Sequence, residues 1–352
     1  MTEIKYDCLC LFSSGLDSIL AARVLQEQGL KVKCLHFVSP FFGKPELVPK
    51  WAETYGLDID VVDVSREFIR VVPENRFGLG KQLNPCVDCK VFMATRAREM
   101  LPAYGAEFVA SGEVVGQRPM SQRRDAMNIV TRESGTRELL LRPLCAKKLD
   151  PTPMELSGLV DRERLHNIGG RGRKSQIALA EDFGLTDLPT PAGGCLLTEA
   201  ESCRRYAPVY MNVDRPEPAD FEVANIGRQL WSGPLWLAMG RNQADNERLL
   251  EFAGNDDLVF DVADFPSPRS IARRAAAGAW SAEDVHRAAQ VTASYSSKAV
   301  KSGGPVDVYV FRGDTRDTVS VVPSRTPHPP FEEPGLQDIE KFKESLAQGS
   351  ES

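Results

Sequence analysis

A short apolar run from Tyr6 to Phe12 breaks off into Ser13-Ser14-Gly15. From Leu16 to Gln28 apolar residues then recur at helical spacing (Leu16, Ile19, Leu20, Val24, Leu25), ending at Gly29. This pattern predicts a buried strand, a tight turn and a helix. Val32–Val38 predicts a second buried strand, Leu47–Tyr55 a helix and Ile59–Val64 a third strand. A helix over Lys90–Tyr104 and strands over Phe108–Ser111 and Glu138–Leu141 continue the series. Strands alternating with helices predict an α/β fold, a parallel sheet with helices on both faces.

Beyond this, residues 155–185 read as helical and Arg-rich, and Pro189–Gly194 as a loop leading into Cys195. Residues 206–220 are Pro-rich and read as a linker. Residues 221–325 predict a smaller α+β domain. It has strand-like runs at Leu235–Met239, Leu258–Phe260, Val306–Phe311 and Thr318–Val322, and a helix at Ala282–Lys298. The Pro, Glu, Ser and Lys of residues 326–352 predict a disordered tail.

Length supports this division, since 352 residues suffice for two or three domains. No apolar stretch approaches the roughly 20 residues of a membrane span, and Met1-Thr2-Glu3-Ile4-Lys5 does not read as a signal peptide, so a cytoplasmic protein without a membrane partner is expected. A net charge of −6 excludes a strongly basic nucleic-acid coat but leaves room for local basic patches. All eight cysteines lie within the first 203 residues. In a reducing compartment a close pair such as Cys86/Cys89 points to metal or redox chemistry rather than a structural disulfide.

The first turn carries the clearest chemistry. A strand, a Ser/Gly turn and a helix together aim backbone N–H groups and the positive helix end at one point. Ser13, Ser14 and Ser18 add hydroxyls, and Gly15 lets the backbone approach a phosphate. Asp17 beside phosphates points to a bridging Mg²⁺. A plain strand-to-helix turn capped by serine is the other reading of the same residues. Ser13-Ser14-Gly15-Leu16-Asp17-Ser18 resembles the Ser-Gly-Gly-x-Asp-Ser signature of the PP-loop ATPases (adenine nucleotide alpha hydrolase-like fold), with Ser14 in place of the first glycine. The resemblance implies that ATP is split to AMP and pyrophosphate, with His36 and Phe37 near the adenine; a strand-end polar residue is the alternative for His36.

Ser111-Gly112-Glu113-Val114-Val115-Gly116-Gln117-Arg118, with Ser121-Gln122 soon after, follows a predicted strand, where open α/β sheets bind ligands. It resembles the Thr-Gly-Glu-x-x-Gly-Gln segment of bacterial 4-thiouridine synthetases, with Ser111 for threonine. The resemblance implies ATP contacts through Gly112, Gln117 and Ser121; a structural loop is the alternative. Arg142-Pro143-Leu144 resembles that family's Arg-Pro-Leu.

Cys86 and Cys89 open a helix, whose amino end favours thiolates, and Cys195 follows Gly193-Gly194. Three cysteines fit a [4Fe–4S] cluster with one iron free of protein thiolate. Cys86, Cys89 and Cys195 resemble the set of cluster-dependent tRNA thiolases. That resemblance makes Asp17, Cys86, Cys89 and Cys195 the catalytic group, and sulfide or a cysteine-desulfurase persulfide the sulfur donor. A persulfide on Cys89 or Cys195, as in cluster-free 2-thiouridylases, and a zinc site completed by Cys203 or His166 stay open. Cys8, Cys10, Cys34 and Cys145 read as core residues.

Arg118, Arg123, Arg124, Arg162, Arg164, Arg171, Arg173 and Lys174 suit a phosphate backbone or, alternatively, a solvated face with carboxylate partners. Residues 221–325 resemble the RNA-binding domain of the NFACT proteins, through the runs Gly240–Leu249, Asp256–Phe260, Ala293–Lys298 and Pro305–Tyr309. Arg241, Arg248, Arg269, Arg273, Arg274, Lys298 and Lys301 are the basic candidates there, and Tyr295 a stacking face. A structural domain that forms a homodimer is the other reading. The sequence thus points to a tRNA sulfurtransferase using Mg·ATP, residues 1–205 carrying the chemistry. The alternatives are a PP-loop enzyme acting on a small molecule and a non-enzymatic RNA-binding adaptor.

Overall fold

The structure is a computed structural model and describes residues 5–189, 194–273, 280–324 and 330–349. The chain forms two units, Met1–Thr198 and Glu199–Ser352. In the first, strands β1 (Cys8–Leu11), β2 (Val32–Val38), β3 (Asp58–Asp63), β4 (Phe108–Ser111) and β5 (Leu140–Leu141) are all parallel, in the order β3-β2-β1-β4-β5. The helices are α1 (Leu16–Gln26), α2 (Val48–Tyr55), α3 (Ser65–Val71), α4 (Cys86–Tyr104), α5 (Arg124–Glu133), α6 (Pro153–Leu156) and α7 (Lys174–Asp182).

Alternation along β1 explains why both faces are covered. Cys8, Cys10 and Phe12 join Val32, Cys34, Phe108 and Ala110 in one cluster with the apolar side of α1. Leu9, fully buried, points to the opposite face, where α4 packs on β1 and β4. Cys8, Cys10 and Cys34 are core residues as expected. Burial holds the Cys8 thiol well above its ordinary range, and a hydrogen bond with Cys10, together with burial, does the same for Cys34.

The strand order reverses between β1 and β4, so the loops leaving their carboxyl ends diverge and open a crevice. Both nucleotide-type motifs lie there. Two local expectations shift. Helix α4 begins at Cys86, four residues before Lys90, which puts both cysteines in its first turn. Residues 155–185 are not one helical stretch: α6, a short 3₁₀ turn (Arg162–Arg164) and α7 are separated by irregular chain around Gly169-Gly170, where glycine disfavours helix.

The second unit is an antiparallel sheet of β6 (Arg228–Ser232), β7 (Leu235–Met239), β8 (Leu258–Val262), β9 (Ser270–Arg273), β10 (Val306–Arg312) and β11 (Thr315–Val321), ordered β11-β10-β8-β9-β7-β6. Its helices are α8 (Ala200–Asn212), α9 (Pro218–Ala224), α10 (Gln243–Glu251), α11 (Ala282–Ser294), α12 (Ser297–Ser302) and α13 (Leu336–Gly349). Ala288 and Ala289 of α11 pack on Leu237, Phe260 and Val308 of the sheet. The expected helix Ala282–Lys298 breaks at Ser296, whose hydroxyl caps α12 by accepting the Ala299 N–H.

Two expectations are corrected. Residues 206–220 are not a free linker: α8 runs through Pro208, and Tyr206, Ala207 and Val209 are fully buried. Proline content misled there because buried apolar neighbours outweigh the helix penalty of one proline. Residues 336–349 of the expected disordered tail form α13, whose Ile339 and Phe342 are buried and whose Phe342 stacks on Tyr210 at 5.1 Å. Residues 325–329 and 350–352 lie outside the described residues.

Candidate functional site

The turn between β1 and α1 is built around Ser18 and Ser14. The Ser18 hydroxyl donates to the Gly15 carbonyl (2.7 Å) and accepts the Ser13 N–H (3.2 Å), closing the loop on itself. Ser14 sits at φ 59°, in the left-handed region that favours glycine. This explains why a glycine in the PP-loop signature matches its position. Gly15 is the extended N-cap of α1. The Ser18 and Ile19 N–H groups donate to the Gly15 carbonyl (3.0 and 3.3 Å), and the Leu16 and Asp17 N–H groups ahead of them have no acceptor within the helix. The arrangement can hold an anion.

The second segment closes over this loop. A Cβ on Gly112 would collide with the Asp17 backbone and come within 2.6 Å of the Ser18 nitrogen, so only glycine lets β4 end against the turn. Gln117 donates from Nε2 to Asp17 Oδ2 at 2.8 Å. Asp17 Oδ1 and Gln117 Oε1 are both buried with no hydrogen-bond partner. Ser121 and Gln122 are buried, and the Gln122 carbonyl accepts the Gly116 N–H (2.7 Å). The structure therefore brings Ser13, Ser14, Gly15, Asp17, Ser18, Gly112 and Gln117 into one place. Gly112 acts there through its backbone and Gln117 through Asp17.

His36 lies deeper. Its Nε2 accepts the Lys44 N–H (3.0 Å), so Nδ1 carries the proton and donates to the Phe12 carbonyl (3.1 Å). Burial lowers its pKa, and its ring meets Phe12 and Trp51 edge-on. With both nitrogens engaged by backbone, His36 fixes the end of β2 and has only a ring surface left for a ligand. Phe37 is buried at the same strand end.

Cys86 and Cys89 stand in the first turn of α4. Asp88 between them accepts the N–H groups of Arg76 (2.9 Å) and Phe77 (3.2 Å), tying the preceding loop to the helix. The Asn84 amide donates to the Cys86 sulfur at 3.2 Å and lies 3.4 Å from the Met120 sulfur, so it connects the cysteine turn to the nucleotide segment. Cys195 is held by the neighbouring Leu196 N–H, which donates to the Phe41 carbonyl beyond β2 (2.8 Å). Burial pushes the Cys89 thiol well up, and the nearby charges of Cys195 and Cys86 push it further, against Lys90. Cys86 and Cys195 both lie close enough to Cys89 to oppose its ionisation. Among the described residues, no three His, Cys, Asp or Glu side chains stand at the spacing of a formed metal site. This applies to the cluster set and to the zinc set with Cys203 or His166. Thr190–Gly193, the loop before Cys195, lies outside the described residues.

Two residues of the Ser-Gly-Glu and Arg-Pro-Leu motifs, Glu113 and Arg142, have no role legible in the sequence alone. They form a buried pair (2.9 Å) beneath the nucleotide segment, with Lys90 at 3.9 Å on the other carboxylate oxygen. Burial alone would raise the Glu113 carboxyl, but Arg142 and Lys90 outweigh it and hold it below its ordinary value. Ser111 also donates to this carboxylate, at 3.2 Å. The paired Ser-Gly-Glu and Arg-Pro-Leu motifs were the available signal, since a buried acid needs a base from elsewhere.

Of the basic candidates, Arg162 donates to the Ala146 and Leu149 carbonyls (3.2 and 3.0 Å) and pairs with Glu155, while Arg164 reaches the Glu27 carbonyl. Arg123 pairs with Asp125, and Arg124 donates to the Lys148 carbonyl. These are structural contacts. Arg118, Arg171 and Lys174 are exposed. In the second unit the expected common basic surface is reduced. Arg273 is held between Asp220 (2.6 Å) and Asp257 (3.5 Å), Arg269 pairs with Asp261 (3.1 Å) and Arg248 reaches Glu222 (4.0 Å). Tyr295 is exposed with Arg228 over its ring at 4.9 Å, and Lys298 and Lys301 on α12 are exposed. Arg274 lies outside the described residues.

A parallel sheet with a Ser/Gly turn at its strand-order reversal makes the first unit an α/β domain, consistent with a PP-loop fold; the second unit is an antiparallel α+β unit. Residues 4–150 match the family described as thiamine biosynthesis protein (ThiI). Over 125 residues the chain is 32% identical to the tRNA-specific 2-thiouridylase MnmA of Petrotoga mobilis (strain DSM 10674 / SJ95). That stretch covers 30% of this chain and 34% of the relative, so the chain spans about a third of the relative's length. Two solved structures share weaker likeness. A predicted subunit of tRNA methyltransferase from Methanocaldococcus jannaschii has 17% identity and TM-score 0.31, covering 44% of this chain and 76% of that one. The C-terminal part of the fibronectin/fibrinogen-binding protein of Streptococcus suis has 12% identity and TM-score 0.25, covering 68% and 90%. No helix among the described residues is long and apolar enough to cross a membrane.

Proposed function

We propose that the chain is an ATP-dependent tRNA sulfurtransferase. The observation that carries this reading is the closure of the Gly112–Gln117 segment on Asp17 of the phosphate turn, with three cysteines at the same end of the sheet. The turn would hold the triphosphate through backbone N–H groups, and Asp17 would hold Mg²⁺. A uridine carbonyl oxygen would attack the α-phosphorus and expel pyrophosphate. A sulfur nucleophile would then attack the activated carbon and expel AMP. Positioning and neutralisation of phosphate charge would supply most of the rate enhancement.

Cys86, Cys89 and Cys195 offer the thiol chemistry of a [4Fe–4S] cluster, which when bound supplies an iron open to sulfide. Asn84 would orient Cys86 through its N–H···S contact, and the α4 amino end would offset thiolate charge. A second reading rests on the electrostatic contact of Cys89 with Cys195. A persulfide on one of the two would give up its outer sulfur to the base, the other closing a disulfide that a thiol reductant reopens. Tyr295, Arg228, Lys298 and Lys301 would contact RNA in the second unit, which we infer to be an NFACT-type domain.

The test is pyrophosphate release from Mg·ATP with tRNA, together with nucleoside mass spectrometry of that tRNA. Thiouridine formation that is abolished by Asp17→Ala supports the proposal; pyrophosphate release indifferent to tRNA points to a small-molecule substrate. Anaerobically purified protein that is free of iron yet active would eliminate the cluster and leave the persulfide.

A further inference from the structure

Gln176 is fully buried, yet neither its Nε2 nor its Oε1 has a hydrogen-bond partner. Leaving both ends of a buried amide unpaired is costly, and such groups in a native fold require an explanation. The position of Gln176 supplies one. Four residues before α7, the Gly170 N–H donates to the Val115 carbonyl of the segment after β4 (2.8 Å). Past its end, Phe183 lies against Arg23 of α1 (5.8 Å), and the Asp187 carbonyl accepts from the Tyr55 hydroxyl (3.0 Å). Helix α7 therefore runs alongside α1 in the same direction. Ala180, one turn after Gln176, shares a buried cluster with Leu16, Ile19 and Leu20 of α1. Gln176, the third residue of α7, lies one turn nearer than Ala180 to the end of the pair where α1 begins and carries Asp17. The orphaned Asp17 Oδ1 and Gln117 Oε1 lie at that same end.

We propose that Gln176 is a ligand-binding residue of the nucleotide site. Its Nε2 donates to a phosphate oxygen and its Oε1 accepts from a water carried by the Mg²⁺ of Mg·ATP. This rests on the reading of the β1–α1 turn as an ATP site. An amide suits the task because it offers one donor and one acceptor side by side, whereas a lysine or carboxylate would carry unpaired charge before the ligand arrives.

The experiment measures binding of Mg²⁺ with α,β-methylene-ATP by calorimetry, and thermal midpoints without ligand, for the full chain and for Gln176→Leu. Gln176→Leu is expected to keep or raise the ligand-free midpoint, since an apolar side chain ends the unpaired burial, while Kd rises at least tenfold. An unchanged Kd would overturn the proposal and leave Gln176 as an amide served by a buried water. Should Gln176→Leu fail to fold, Gln176→Met takes its place with the same two readouts. A wild-type chain that does not bind the probe overturns the ATP reading itself, an outcome separate from equal binding by both proteins.

Discussion

Ser14 holds φ 59° without the freedom of glycine, a cost of about 1 kcal/mol. Ser14→Gly is therefore expected to raise stability by roughly 0.5–1 kcal/mol, less what glycine adds to unfolded-chain entropy, as read by urea unfolding. A drop in stability would show that the serine hydroxyl holds the turn. Glu113 makes the opposite kind of contribution. Removing its charge by Glu113→Gln leaves Arg142 buried without its counter-charge and is expected to cost about 3–5 kcal/mol. Its carboxyl is held below its unfolded value, so its stabilisation is complete at neutral pH. That contribution is lost as pH falls through the acid range below about 4.3. Unfolding free energies followed down the acid range should show a steeper fall for wild type than for Glu113→Gln/Arg142→Met.

At the scale of elements, the site depends on β4 ending flush against the β1–α1 turn. Gly112→Ala forces the two backbones apart, an overpacking of about 1–3 kcal/mol. It is also expected to weaken nucleotide binding at least tenfold, and ATP-analogue calorimetry reads this directly. Retained affinity would mean that the segment can move without loss of the site. The start of α4 has its own anchor in Asp88, which receives two N–H groups from the preceding loop. Asp88→Ala is expected to lower stability by roughly 2–3 kcal/mol. It should also speed proteolytic cleavage within residues 72–85, with mass spectrometry locating the cuts.

For the whole molecule, the proposed tRNA contacts make a prediction about salt. Binding should weaken linearly in log–log form as salt rises, and Arg118→Ala or Arg171→Ala should each lower the slope by about one. Arg162→Ala should leave the slope unchanged and lower stability instead, because its guanidinium serves Glu155 and two backbone carbonyls. A slope that responds equally to all three would overturn this sorting of the arginines.

The local pattern alone determined much of the first unit. Apolar runs bounded by Ser/Gly turns located its strands, Val32–Val38 to the residue, because a strand buried on both faces leaves a mostly apolar run, here interrupted only by Lys33 and His36. The β1–α1 turn was legible for a similar reason: the residues proposed to hold phosphate are consecutive. In the second unit Arg228–Ser232 and Ser270–Arg273 were not legible as strands, since their pairing partners rather than their composition make them so. Tertiary structure alone decided which distant groups meet. It set Gln117 on Asp17, Glu113 on Arg142 and Asn84 on Cys86, and left the buried amide of Gln176 unpaired. Periodicity reports which side of an element is buried, whereas the partner of a buried polar atom is fixed only once the elements are packed.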